Sequence, residues 1–122
     1  MKLATKYKIG IVPWSGGTGL VGGQIAPDKY SVTLSLERMN TIKNFSSINQ
    51  SVEVEAGVIL ETIHEFVGKR NFLYPLSMAS KGTCCIGGNL ATNAGGIGVL
   101  KYGNARDLCL GLEVVLADGS II

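Results

Sequence analysis

Two short glycine blocks constrain this chain more than any other feature. The first is Ser15-Gly16-Gly17-Thr18-Gly19-Leu20-Val21-Gly22-Gly23, directly after Pro13-Trp14. The second is Gly82-Thr83-Cys84-Cys85-Ile86-Gly87-Gly88-Asn89-Leu90-Ala91-Thr92-Asn93-Ala94-Gly95-Gly96. Together they hold most of the 17 glycines in 122 residues, so the glycine is not spread as in a flexible or low-complexity chain. Without a Cβ, successive backbone N–H groups can turn toward one centre, and such a nest binds anions, phosphate above all. In the second block Gly87-Gly88 is expected to precede a short helix over residues 89–94, whose free N–H groups would face the same anion. Thr83, Asn89, Thr92 and Asn93 add short polar side chains. Tight turns and close packing would explain one block equally well. Two long blocks with matching polar residues favour binding, and they suit a dinucleotide diphosphate held between them.

Neither block is one of the common nucleotide loops. A P-loop needs Gly-Lys followed by Ser or Thr, and Lys81-Gly82-Thr83 has the wrong order. Gly17-Thr18-Gly19-Leu20-Val21-Gly22 meets the bare spacing of the dinucleotide fingerprint, but no helix pattern follows Gly19.

The rest of the composition narrows the class. The chain is of one-domain length, 46% hydrophobic, with a mean hydropathy of +0.30, which excludes disorder. No apolar run approaches the ~20 residues of a membrane span, and Met1-Lys2-Leu3-Ala4 is not a signal peptide. Net charge is +2 without a basic cluster, so nucleic acid is not an expected partner. Cys84, Cys85 and Cys109 form neither a disulfide framework nor a zinc motif, so we expect a reducing, cytoplasmic setting and no metal site.

Periodicity predicts a helix end over residues 1–8 and a strand at Ile11-Val12 that stops at Pro13. Residues 31–36 alternate as a strand. Residues 44–51 look polar and turn-like. Residues 51–55 alternate again and are expected to form a hairpin with 31–36. Ile59, Leu60, Ile63, Phe66 and Val67 mark one face of a helix closed by Lys69-Arg70-Asn71. His64 beside that face is expected to be a surface or satisfied histidine rather than a ligand. Residues 72–85 and 95–103 look like loop. A strand over 112–117 leads to a hairpin turn at Asp118-Gly119. Strands with helices between them indicate an α+β domain.

In order, Pro13-Trp14-Ser15-Gly16-Gly17-Thr18-Gly19-Leu20, Val54-Glu55-Ala56-Gly57-Val58, Pro75-Leu76, the second glycine block, Tyr102-Gly103 and Leu112-Glu113-Val114-Val115-Leu116-Ala117-Asp118-Gly119 form a series. It resembles the FAD-binding domain of the vanillyl-alcohol oxidase and p-cresol methylhydroxylase (PCMH) superfamily. Within that superfamily it is most similar to D-2-hydroxyglutarate dehydrogenases, D-lactate dehydrogenases and the FAD-binding subunit of glycolate oxidase. The resemblance implies two small α+β subdomains clasping FAD. On one side of the cofactor it implies Pro13, Ser15, Gly16, Gly17, Thr18, Gly19 and Leu20. On the other it implies Pro75, Gly82, Thr83, Ile86, Gly87, Gly88, Asn89, Thr92 and Asn93. It also implies hydride transfer from the hydroxyl-bearing carbon of a 2-hydroxy acid to the flavin.

Members with covalent flavin carry histidine where this chain has Thr18, so the expected FAD is non-covalent. The family's substrate groups sit on a C-terminal cap domain, and no catalytic residue is expected in residues 1–122, which read as a partial domain truncated at both ends. Two alternatives stay open. One is a non-catalytic remnant or split-gene product needing a second chain. The other is an enzyme like UDP-N-acetylenolpyruvoylglucosamine reductase, echoed in Asn93-Ala94-Gly95. Met78 and Cys85 fit core packing as well as flavin contact.

Overall fold

A computed structural model describes residues 1–122. Helix α1 (Lys2–Tyr7) leads into β1 (Gly10–Trp14), which pairs in parallel with β2 (Ser31–Ser35). A separate antiparallel ladder joins β3 (Ile42–Ser46) and β4 (Ser51–Val54). Then follow α2 (Leu60–Gly68), α3 (Ile86–Ala91), α4 (Val99–Tyr102) and a 3-10 turn, Ala105–Leu108. The two small sheets with their helices make the α+β architecture expected from the sequence.

Strand pairing departs from the expectation. Residues 31–36 do not form a hairpin with 51–55: β2 lies beside β1, and β4 pairs with β3, which the sequence reading took for turn. The ladder slips between Ile42 and Asn44, so Ile42 and Phe45 stand three apart and mask the alternation. Phe45 still faces inward, edge-on to Phe66 at 6.1 Å and Phe72 at 5.3 Å. Pro13 does not end β1 but sits inside it, opposite Leu34. Gly10 N–H donates to Tyr30 O, and Trp14 O accepts from Leu36 N–H. By the two-residue period, the ring nitrogen of Pro13 faces the open edge, where no donor is needed.

The helix over the 59–67 pattern forms as α2, with Leu60, Ile63 and Val67 buried. It separates two core clusters. Val58, Ile63, Val67 and Ile86 join α2 to the β3–β4 ladder, and Leu60, Leu76, Cys84 and Ala105 join it to the second glycine block. Met78 packs on the second cluster and Cys85 is buried, so core packing accounts for both. His64 is satisfied: its Nε2 lies 2.8 Å from Leu76 O. Around Asp118-Gly119 the turn forms with Gly119 at φ 85°, and Val114 and Ile122 exchange two backbone bonds across it. Only a single bridge, Val115 with Ile121, stands in place of the expected strand. No helix is long and apolar enough to cross a membrane.

A cavity of about 480 Å³ opens beside α2, lined by His64, Phe72, Tyr74, Pro75 and Tyr102 among others. Burial pushes the Tyr74 phenol up to about 12, with nearby Cys109 adding a smaller push. The unfolded chain would lose this proton near the ordinary tyrosine value of 10.0, before the folded one does. Stability contributed by the neutral phenol is therefore complete below that value and falls as pH rises toward about 12. Alkaline absorbance titration should show a phenolate step near pH 12 that Tyr74→Phe removes.

Candidate functional site

The first glycine block is the 15–30 connection between the parallel strands β1 and β2. No backbone N–H of residues 15–24 donates a hydrogen bond to the chain; the next donor is Ile25, to Gly22 O. Residues 18–21 and 23 of this loop are exposed, so their N–H groups face solvent and stay available to a ligand. Gly17 holds φ 64° and Gly22 φ 74°, the left-handed conformation that glycine adopts freely. Trp14, the only tryptophan, lies against Gly17: a Cβ on Gly17 would stand 2.5 Å from Trp14 Cζ2.

The two blocks touch directly. A Cβ on Gly16 would run into Thr83 O and come within 2.7 Å of Cys84 Cα. A Cβ on Gly88 would lie 3.1 Å from Ser15 Oγ. Ser15 Oγ is buried and has no hydrogen-bond partner. Opposite it, the second block differs from its expected form. The helix begins at Ile86, so Gly87 and Gly88 form its first turn instead of preceding it. Two of its N–H groups are already spent, Ile86 on Val58 O at 2.9 Å and Gly87 on Ala56 O at 2.8 Å. Gly88 N–H has no acceptor within the chain. An unpaired hydroxyl and an unpaired N–H therefore lie together at the start of loop 15–24, with close backbone contacts where side chains would intrude. This donor set fits a phosphate.

Other residues named from the sequence are placed differently. Ile86 is buried in the core, and Asn89 is buried with Nδ2 directed at Cys84 Sγ, 3.6 Å away. Neither side chain faces the donors. Thr92 Oγ1 bonds Gly88 O at 2.8 Å, Thr83 Oγ1 bonds Ser80 O at 3.3 Å, and Asn93 Oδ1 accepts from Arg106 N–H. Pro75 lines the α2 cavity. Gly19 and Leu20 lie in the exposed part of the loop, with Gln24 Nε2 bonded to Gly19 O at 2.9 Å. The motif series contains Trp14 and Ala56-Gly57 without assigning them to the site: Trp14 lies beneath Gly17, and Ala56 O takes the Gly87 N–H while Gly57 has no room for a Cβ beside Leu36 O. The Gly57 that ends the β4 alternation was the available signal.

Relatives place this geometry in a known family. The chain is 40% identical, over its whole length, to D-2-hydroxyglutarate dehydrogenase of Xanthomonas citri pv. viticola, of which it covers 26%. It is 44% identical to the mitochondrial D-2-hydroxyglutarate dehydrogenase of Bos taurus, covering 22% of it. It is 38% identical to the D-2-hydroxyglutarate–pyruvate transhydrogenase of Saccharomyces cerevisiae, covering 24%. The chain thus spans about a quarter of the length of these relatives. Among solved structures, 6-hydroxy-D-nicotine oxidase from Arthrobacter nicotinovorans superposes with a TM-score of 0.81 at 28% identity, over 98% of this chain and 25% of that one. Alkyldihydroxyacetonephosphate synthase shares the fold, with a TM-score of 0.87 at 24% identity, over 97% of this chain and 22% of that one. The family model described as FAD binding domain matches residues 1–122, so the PCMH-type resemblance holds and the chain belongs to the FAD-binding domain family.

Proposed function

We propose that residues 1–122 hold the FAD of a flavin-dependent D-2-hydroxy-acid dehydrogenase, with the diphosphate along loop 15–24 and against Ser15 and Gly88. The observation that carries this placement is the buried, unpartnered Ser15 hydroxyl beside Gly88, whose N–H has no acceptor in the chain. Pro13, Gly16, Gly17, Thr18, Gly19 and Leu20 shape that wall. Gly82, Thr83 and Gly87 shape the other through backbone, with Ile86 and Asn89 supporting it from the core. Thr92, Asn93 and Pro75 border it. Each hydrogen bond to a phosphate oxygen contributes roughly 1.5–3 kcal/mol.

When bound, the flavin supplies the hydride acceptor. The residues of this chain bind and orient it, while the substrate's carboxylate anchor and base come from a cap domain outside residues 1–122. The 2-hydroxy-acid class rests on the relatives' names, dehydrogenases and a transhydrogenase of D-2-hydroxyglutarate. The compartment is proposed to be a reducing one, the cytoplasm by the sequence reading, although the Bos taurus relative is named as mitochondrial.

FAD titration tests the placement. Trp14 is the only tryptophan and lies against Gly17, so saturable quenching of its fluorescence is expected with one FAD per chain. ADP should compete if the diphosphate is what the loop holds. Acid precipitation of the loaded protein should release all flavin, because Thr18 offers no ring nitrogen for attachment. Absence of saturable quenching would remove the diphosphate from this loop, and flavin kept in the washed pellet would refute non-covalent binding.

A further inference from the structure

We infer that Arg106 is a positioning residue for the cofactor, acting through α3 rather than by touching the flavin. Helix α3 has six residues and no side-chain cap at its start. At 1.5 Å per residue it is a rod of roughly 9 Å, too short to hold its own direction. Gly88 is the third of its six residues and lies beside Ser15. At the C-terminal end Gly88 O, Asn89 O and Leu90 O accept from the N–H groups of Thr92, Ala94 and Asn93, and Ala91 O has no backbone donor.

Arg106 supplies the donor for Ala91 O and a second one for Leu90 O. Its Nε donates to Leu90 O at 3.0 Å and its Nη2 to Ala91 O at 2.8 Å. Its backbone N–H donates to Asn93 Oδ1 at 3.1 Å, at a residue held in the left-handed conformation with φ 51°. Ala105 N–H adds a bond to Ala94 O at 2.9 Å, and Ala105 itself is fully buried. The 3-10 turn is thereby sewn to the C-terminal end of α3, with the guanidinium as its fork. Two bonds from one planar group fix direction as well as distance, which a lysine cannot reproduce. Ile86 and Gly87 N–H anchor the start of α3, so the Arg106 fork sets the direction of the rest of the helix and with it the seat of Gly88 beside Ser15. No other guanidinium or ammonium group bonds the carbonyls of α3.

The inference rests on the cofactor reading above, and the test separates the two. In the full chain, Arg106→Ala and Arg106→Lys are compared with the parent by FAD titration, thermal melting and visible circular dichroism of the saturated flavin. Losing charged hydrogen bonds should weaken FAD by about tenfold or more in both variants. The saturated variants should also show an altered flavin dichroism, which a simple loss of stability would not produce. Millimolar guanidinium should restore affinity to Arg106→Ala and leave the parent unchanged. If the parent binds FAD and Arg106→Ala binds it within about twofold with the parent dichroism, Arg106 does not position the cofactor. Weakened binding with unaltered dichroism and no guanidinium rescue would equally reduce Arg106 to a structural staple. A parent that fails to bind FAD overturns the cofactor reading itself.

Discussion

Gly16→Val is expected to abolish FAD binding and to destabilise the fold, whereas Gly88→Val should abolish binding with only a modest effect on folding. The two glycines sit on opposite sides of the same contact and fail for different reasons. A Cβ on Gly16 meets backbone, Thr83 O and Cys84 Cα, neither of which can rotate away. The loop must lift off the second block, with an overpacking cost of about 1–3 kcal/mol and loss of the convergent donors. A Cβ on Gly88 meets only the Ser15 side chain, at 3.1 Å from Oγ and 3.2 Å from Cβ, and a hydroxyl can turn. The branched valine then fills the place of a phosphate oxygen in front of the Gly88 N–H. Loss of two charged hydrogen bonds at roughly 1.5–3 kcal/mol each corresponds to about a hundredfold or more in affinity. Flavin titration with far-ultraviolet circular dichroism measures both quantities. Unchanged affinity in Gly88→Val would remove the diphosphate from this position, and a fully stable Gly16→Val would contradict the close contact between the blocks.

Residues 1–122 expressed alone are expected to show no turnover of D-lactate, D-2-hydroxyglutarate or glycolate in a dye-reduction assay, even with excess FAD. Oxidising a 2-hydroxy acid needs a cation for the carboxylate and a base for the hydroxyl proton, both fixed beside the flavin. The chain's one histidine is bonded to Leu76 O on α2, and the Arg106 guanidinium is committed to Leu90 O and Ala91 O. Lys81 pairs with Glu61 at 3.2 Å. General acid–base catalysis alone is commonly worth about 10²–10⁴ in rate, and orientation adds several orders more, so the residual rate should lie below detection. Turnover that follows the fragment and disappears in Gly16→Asp would show that the active site is within these residues.

The sequence alone determined what is local. Helix α2 follows from a 3.6-residue apolar stripe, of which Leu60, Ile63 and Val67 are buried, Phe66 is half-buried and Ile59 stays exposed before the helix. The Asp118-Gly119 turn follows from its dipeptide, and the open loop after β1 follows from its glycines, because both depend on backbone conformations set by a few adjacent residues. Motif order also identified the FAD-binding family across the chain.

Tertiary structure decided what depends on distant partners. Alternation over residues 31–35 specifies a strand but not its neighbour, and the 15–30 connection brings β2 beside β1 instead of β4. The bulge at Ile42–Asn44 hid β3, since one extra residue breaks a period of two. Gly87 and Gly88 became helical because Ile86 and Gly87 donate to Val58 and Ala56, some thirty residues away in sequence. The same contacts left Gly88 N–H and Ser15 Oγ as the open donors, and turned Asn89 and Ile86 inward. No local pattern marks Arg106, and only the fold sets it against the end of α3. Propensity acts over a turn or two of chain, whereas which donors remain unspent is settled only when every other acceptor has been placed.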